Sequence, residues 1–288
     1  MLPIWLQRRG AGGRSGEVAE RAELSSLCQA IEDGSAAERF AQVPGGESFQ
    51  AVRRRIGLDA ARAGGLSAEP AHRRQASLAR LVRLLEAHAV RDPWVGYCQG
   101  MTDLLEPFLT VFPDDAEALM CFSALMARVR RNFEPGQEHM RRQMRRAVEL
   151  VRLQDRRLHR HLVRIGAADG LWAFRMLLVL MRREVPLPDI LPLWEMLWAA
   201  QSLAGDAGGD LMAAAVAAYV MGHRRRVLRF SSADEVLLLC NHLPEPIHPA
   251  RLMRRAVGML RRRPQRRPDR AAWACCGADA AEPAARPW

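Results

Sequence analysis

Two short segments of this 288-residue sequence carry side chains suited to chemistry on phosphate. Residues 56–62 (IGLDAAR) end on Arg62, and residues 97–101 (YCQGM) contain Gln99. An arginine presents a planar fork of positive charge to a transferring phosphoryl group, and a glutamine amide can orient an attacking water. Neither side chain needs a nucleotide pocket of its own. The pair therefore indicates a catalyst that acts on a phosphate carried by another molecule.

The neighbours of these two residues indicate how each is held. Asp59 precedes Arg62 on what would be one helical turn, so its carboxylate can hold the guanidinium. Ile56 can anchor the same turn in the core. A glycine stands on each side of the Tyr-Cys-Gln tripeptide, and the second of them, Gly100, follows Gln99 directly. This pattern favours a tight turn that aims the amide outward.

The two segments resemble the motifs of the TBC domain, the Rab GTPase-activating module. That family carries I-x-x-D-x-x-R and, further along the chain, Y-x-Q. In this sequence the first motif falls on Ile56, Asp59 and Arg62, and the second on Tyr97 and Gln99.

The resemblance covers about residues 48–262, and the other matching segments are residues 92–104, 132–133, 173–178, 182–184, 193–198 and 234–237. The sequence departs from the family at two places. The family usually opens with R-x-x-x-W, but Met1 stands where Trp5 would require the arginine. Ala63 replaces the threonine that usually follows the arginine of the first motif.

The resemblance implies a protein that accelerates GTP hydrolysis by a Rab-type GTPase in its GTP-bound state. Arg62 would neutralise charge in the transition state, and Gln99 would position the water in place of the GTPase's own glutamine. Tyr97 would support Gln99, with Ile56, Asp59 and Gly100 as further supporting residues. The partner would carry GTP and Mg²⁺, so no cofactor or metal of its own is expected.

Two other functions stay open at the level of sequence. A non-catalytic TBC-like scaffold would bind a Rab GTPase without stimulating it, and the two departures from the family favour that alternative. An arginine-rich binder of nucleic acid or acidic membrane would show steep salt dependence and no preference for a nucleotide state.

The composition bears on partners and location. The net charge is +11, and all 43 Lys/Arg positions are arginine. This charge suits an acidic membrane surface, although a biased coding sequence would give the same composition. No specific nucleic-acid partner is expected, and the oligomeric state is left open. The six cysteines show no metal-site or disulfide-framework spacing, which favours a reducing compartment. These features predict a cytoplasmic protein, and the resemblance to the TBC family implies a peripheral position on endomembranes and a role in vesicle trafficking.

Helical periodicity, punctuated by proline, glycine and aspartate, predicts an all-α fold, and the resemblance to the TBC family implies that it forms two lobes. One helix should start at Asp114-Asp115. Others should run near residues 137–152, 155–165, 169–183, 188–200, 210–228, 232–242 and 249–262. Residues 1–47 are interpreted as a divergent or incomplete N-terminal segment, residues 48–262 as the TBC-like domain, and residues 263–288 as a disordered tail rich in arginine, proline and alanine.

Overall fold

The computed structural model describes residues 9–62, 71–204, 210–242 and 247–261, and every regular element within these ranges is helical. The predicted all-α class is therefore confirmed for the described chain. The helices are α1 (Arg9–Glu32), α2 (Ala36–Ala41), α3 (Phe49–Ala60), α4 (Ala71–Arg91), α5 (Met101–Val111), α6 (Asp115–Val129), α7 (Glu138–Gln154), α8 (Arg156–Arg164), α9 (Phe174–Leu178), α10 (Leu187–Ala204), α11 (Leu211–Gly222), α12 (Arg224–Val227), α13 (Ala233–Asn241) and α14 (Pro249–Arg261).

The first group of helices packs around α4. Helices α1, α3, α5 and α6 all contact it. Leu81, Leu84 and Leu85 of α4 are buried, so the apolar face of this helix is packed in the core. The next helix but one, α6, begins where the sequence predicts: the side chain of Asp114 accepts a hydrogen bond from the backbone N–H of Glu117 at 3.0 Å.

The second group packs around α11. Residues 211–220 of this helix are all buried, so it is apolar on every side and is covered by α7, α9, α10 and α14. Helix α10 also contacts α5, which joins this group to the first. Two groups of helices agree with the predicted two-lobe arrangement, and one continuous set of buried side chains runs through both.

Two predicted helices end earlier than expected. The predicted helix 169–183 is wrong after residue 178: a 3₁₀ turn (Leu171–Ala173) leads into the short α9, and Leu180 and Met181 then adopt φ values of 50° and 60°. The indole N–H of Trp194 donates to the carbonyl of Leu180 at 2.9 Å, which holds this non-helical turn. The predicted helix 210–228 is likewise interrupted at Gly222, where α11 ends and α12 follows.

Several sequence predictions fall outside the described residues. These are the disordered tail at 263–288, Met1 and Trp5 of the first family motif, and Ala63. Residues 9–32 and 36–41 of the N-terminal segment form α1 and α2, and α1 packs against α4 and α6. Among the described helices, none is both long and apolar enough to cross a membrane.

Candidate functional site

Helix α3 brings the first motif to one end of a cleft. Ser48 caps the helix, because its hydroxyl accepts a hydrogen bond from the backbone N–H of Ala51 at 3.3 Å. Val52, Ile56 and Ala60 lie on one face and are buried, with no exposed surface on Ile56. Ile56 therefore anchors this turn as the sequence predicts. Because this face of α3 is buried, the opposite face and the end of the helix are directed toward the surface.

Arg62 follows the last turn of α3 and is loosely held. One Nη1 atom lies 3.8 Å from Oδ1 of Asp59, within ion-pair range but beyond a hydrogen bond, and 73% of the Arg62 side chain is exposed. The predicted pairing with Asp59 is thus present in a weak form. The guanidinium keeps its donors available to an incoming group.

Asp59 is itself fixed by Tyr97. The Tyr97 hydroxyl donates to Oδ2 of Asp59 at 2.9 Å and lies 2.6 Å from the hydroxyl oxygen of Thr102. Tyr97 is almost fully buried, and this burial raises the pKa of its phenol above the usual range. Arg55 donates to the Tyr97 carbonyl at 2.9 Å. Tyr97 therefore connects the two motifs as a neutral, fixed hydrogen-bonding side chain.

The second motif lies in a turn shaped by two glycines. Gly96 and Gly100 have φ values of 59° and 104°, and Gly100 forms the N-cap of α5. A Cβ atom added to Gly100 would lie 2.9 Å from Cγ1 of Val179, so a side chain would collide there. The turn leaves Gln99 exposed, in agreement with the predicted tight turn.

Arg62 and Gln99 line one cleft with a volume of about 750 Å³. Asp59, Gly100 and Thr102 also line it, so every predicted site residue except Ile56 and Tyr97 reaches the cavity, and those two are buried. The rest of the wall comes from the first turns of α5 and from residues 182–187.

Ion pairs join these two parts of the wall. Nε and Nη2 of Arg183 donate to the Asp103 carboxylate at 3.0 and 2.8 Å, and Nη2 of Arg182 donates to Oε2 of Glu106 at 2.6 Å. The second pair is buried on both sides. Since α5 begins directly after Gln99, these pairs fix residues 182–187 relative to the second motif.

A third pair lies behind the wall and corrects a prediction. In the sequence Arg175 has apolar neighbours and must find a carboxylate, and the family resemblance suggests Glu195 as its partner. Its Nε instead donates to Oε1 of Glu184 at 2.9 Å, and its Nη2 donates to the Asn241 carbonyl at 2.9 Å. The early end of α9 explains the change, because it turns Glu184 back toward Arg175. Burial raises the pKa of the Glu184 carboxyl.

The arginines of the cleft therefore differ in how closely they are paired with carboxylates. Arg182 and Arg183 each have a close carboxylate partner, whereas Arg62 has only the distant contact with Asp59. An anion entering the cleft would meet Arg62 as the least engaged cation among the described lining residues. In the part of the chain that the structure describes, no cluster of three or more histidine, cysteine or acidic side chains could hold a metal ion.

Sequence reasoning identified both motifs but missed Thr102, Asp103, Glu106, Arg182 and Arg183 as cleft residues. Residues 182–184 were predicted only as a segment that resembles the family, with both arginines at the end of the helix predicted over residues 169–183. Two consecutive arginines and a glutamate directly before Val-Pro were the available signal that the chain turns there.

The part of the chain that contains both motifs also matches a known protein family. The sequence model of the Rab-GTPase-TBC domain matches residues 41–220. Rab GTPase-activating protein 22 of Arabidopsis thaliana is 37% identical over 180 residues, which cover 57% of this chain and 33% of that protein. TBC1 domain family member 17 of Homo sapiens is 43% identical over 104 residues, which cover 36% of this chain and 16% of that protein. The chain thus spans a third or less of the length of these relatives.

Two solved structures share the fold. The Ypt/Rab-GAP domain of Gyp1p superposes with a TM-score of 0.64 at 19% identity, covering 83% of this chain and 81% of that one. The Chlamydomonas flagellar RabGAP TBC domain superposes with a TM-score of 0.63 at 19% identity, covering 88% and 78%.

Proposed function

Because this chain belongs to the Rab-GTPase-TBC domain family, we propose that it accelerates GTP hydrolysis by a Rab-type small GTPase in its GTP-bound state. The observation that supports this most directly is that an exposed arginine, Arg62, and an exposed glutamine, Gln99, come from separate elements and line the same cleft. The partner GTPase supplies GTP and Mg²⁺, and this chain supplies no cofactor of its own.

Arg62 acts on the charge of the transition state. Its guanidinium inserts beside the transferring phosphoryl group and donates to the oxygens on which charge accumulates. Its loose contact with Asp59 and its high exposure support this role, since the side chain must leave its own surface to reach the partner. An arginine supplied in trans contributes on the order of 10³ to 10⁵ in rate to such reactions.

Gln99 acts on the attacking water. Its amide replaces the water-positioning glutamine of the GTPase, and the turn between Gly96 and Gly100 sets its direction. Tyr97 contributes indirectly, because its hydroxyl fixes Asp59 and its carbonyl is held by Arg55. The two ion pairs of the wall, Arg183–Asp103 and Arg182–Glu106, keep the glutamine turn in place while a partner docks.

The protein would act in vesicle trafficking, in the cytoplasm and at the periphery of endomembranes, in contact with an acidic surface. The alternative function is a scaffold that binds a Rab GTPase without stimulating it. Met1 at the position of the family's first arginine and Ala63 beside Arg62 are the observations in its favour.

A four-way measurement of single-turnover GTP hydrolysis tests the proposal. A panel of GTP-loaded Rab GTPases first identifies a substrate. The wild-type chain and the Gln99→Ala variant are then each assayed with that Rab and with a form whose own catalytic glutamine is alanine. Wild-type chain should stimulate both Rabs, and Gln99→Ala should lose the stimulation of the altered Rab.

The other outcomes identify the competing functions. A scaffold would bind the GTP form in a pull-down and stimulate neither Rab. An arginine-only mechanism would stimulate the normal Rab and fail on the altered one, whichever residue stands at 99. Binding that falls steeply with salt and ignores the nucleotide would indicate a general polyanion binder.

A further inference from the structure

A second hollow of the surface lies between the end of α11 and helix α14. It has a volume of about 440 Å³, and Ala218 and Gly222 of α11 face Arg254 and Arg255 of α14 across it. A smaller hollow of about 190 Å³ adjoins it and shares Ala218, Gly222 and Arg255. We call the two together the α11–α14 groove. None of its lining residues belongs to the cleft that Arg62 and Gln99 line.

The amphipathic pattern of α14 explains why its arginines line the groove. Leu252, Met253, Ala256 and Met259 are buried against α10 and α11. The arginines at 251, 254 and 255 occupy the remaining face and are exposed. A Cβ added to Gly222 would lie only 3.2 Å from Nη1 of Arg255, so the Arg255 guanidinium lies close to the backbone of Gly222 at the groove floor.

The charge of the groove is uncompensated within the described chain. Arg251, Arg254 and Arg255 line it together with His223 and His248, and no described carboxylate lines it or pairs with these arginines. The nearby Arg224 differs, since it pairs with Asp155. The cleft differs as well, because carboxylates there accompany Arg182 and Arg183. The groove is thus concave, and its described lining residues carry positive charge without any carboxylate.

This chemistry selects one class of ligand. Guanidinium groups bind phosphate oxygens through paired hydrogen bonds, and three of them in adjoining hollows suit several phosphates rather than one. The larger hollow falls within the range of about 300–1,000 Å³ that small-molecule sites occupy. We propose that the α11–α14 groove binds a ligand with two or more clustered phosphate groups, of the inositol phosphate type. Such a group can arrive on a lipid headgroup or as a free soluble molecule.

Binding measurements on the full chain distinguish the two sources. Inositol trisphosphate in solution is titrated by calorimetry. Co-sedimentation then uses phosphatidylcholine vesicles that carry either phosphatidylinositol bisphosphate or phosphatidylserine at equal total charge. Saturable binding of soluble inositol trisphosphate supports the proposal and indicates that a free ligand is sufficient for binding. Binding only to the bisphosphate vesicles supports it with a lipid-borne ligand. Equal binding to both vesicle types, without soluble binding, would overturn it in favour of general attraction to an anionic surface.

Variants locate the site. Arg254→Ala/Arg255→Ala should weaken the affinity at least about tenfold, because each charge-assisted contact contributes that much or more. Arg141→Ala/Arg142→Ala is the control with the same loss of charge. These two arginines are exposed on α7 and lie about 20 Å along that helix from Gln154, which lines the groove. Equal effects of the two double variants would overturn the assignment.

A second pair of variants keeps all arginines in place, in case their removal disturbs α14. Gly222→Asp puts a carboxylate beside Arg255, and Gly222→Asn puts an uncharged group of the same shape there. The aspartate variant should bind the probe at least about tenfold more weakly than the asparagine variant. Equal affinities for the two would count against the groove. Neither variant touches the cleft, so GTP hydrolysis measured in parallel reports on the proposed function separately.

Discussion

Arg62 and Gln99 reach one cleft under different constraints. The direction of Gln99 is set by a turn with two left-handed glycines and by ion pairs that fasten the helix after it. Arg62 stands beyond the end of a well-anchored helix with a single contact at 3.8 Å. At the scale of single residues, the site therefore pairs a fixed amide with a movable cation.

Substitution of Arg62 should separate catalysis from folding. Arg62→Ala and Arg62→Lys should both lower stimulated GTP hydrolysis by on the order of 10³ or more, since lysine lacks the planar fork. The melting temperature and helical circular dichroism should stay unchanged because the side chain is 73% exposed. Arg54→Ala, at an exposed position on α3, the helix that precedes Arg62, serves as the control and should change mainly the salt dependence. Retained stimulation in Arg62→Ala would contradict the assigned role.

Replacing a glycine by alanine should change the free energy of unfolding in opposite directions at the two motifs. Gly100→Ala should destabilise the fold by about 1–3 kcal/mol, because φ is 104° and the added Cβ would meet Val179 at 2.9 Å. Gly57→Ala, in the middle of α3 with open space around it, should stabilise by about 0.5–1 kcal/mol. Urea unfolding measures both. A neutral result for Gly100→Ala would mean that this turn tolerates a side chain.

At the scale of elements, the segment after α9 decides the shape of the cleft. Residues 179–185 leave the helix and carry Arg182 and Arg183 to α5, and these residues pair with partners 76 and 80 positions away in sequence. Local propensity gives no account of contacts over such distances, which is why a helix was predicted through residue 183. The two motifs were predictable because each is a short local frame whose residues share one turn or helix.

The two ion pairs of the wall should differ in their effect on stability. Glu106→Gln should destabilise by about 3–5 kcal/mol, since it leaves the Arg182 charge buried without its carboxylate. Asp103→Asn should cost about 1 kcal/mol or less, because the Arg183 side chain is 40% exposed. Urea unfolding of the two variants provides the comparison. The double change Glu106→Leu/Arg182→Met should recover most of the loss, and failure to recover would indicate that the pair also shapes the backbone turn.

At the scale of the whole molecule, helical periodicity and the position of caps predicted α7, α8, α10, α13 and α14 within a few residues, whereas no bounds were predicted for α1 to α5. The N-cap of α6 at Asp114 and the start of α10 near residue 188 were both predictable from sequence, because capping and proline effects act locally. The packing of two helix groups around α4 and α11 depends on contacts between distant residues. The sequence predicts which face of an individual helix is buried, but it does not predict which helices pack against each other.

The acid stability of the fold should depend on a histidine between α4 and α6. His88 is buried, packs edge-on against Phe122 at 4.8 Å, and has a pKa lowered to about 4 by burial and then by Arg91, with Asp92 opposing. The folded state therefore prefers neutral His88. Its contribution is full above an unfolded pKa near 6.5 and is lost as the pH falls toward 4, by about 3 kcal/mol in all.

Urea unfolding at pH 7 and pH 4.5 tests this contribution. His88→Gln removes the titrating group, so the stability difference between wild type and variant should shrink as the pH falls. His242→Gln, at an exposed position, should follow the wild-type pH dependence. Parallel curves for wild type and His88→Gln would show that other groups carry the acid sensitivity.

The loose hold on Arg62 also bears on how long a complex lasts. A side chain that is free before docking loses its rotational freedom only in the complex, at a cost of about 0.5–1.5 kcal/mol. If the proposed function holds, that cost would subtract from the affinity for the GTP-bound partner and shorten the lifetime of the complex. After hydrolysis the Arg62 guanidinium would have no transferring phosphoryl group to offset its ordering, so we expect the complex with the GDP-bound partner to dissociate quickly.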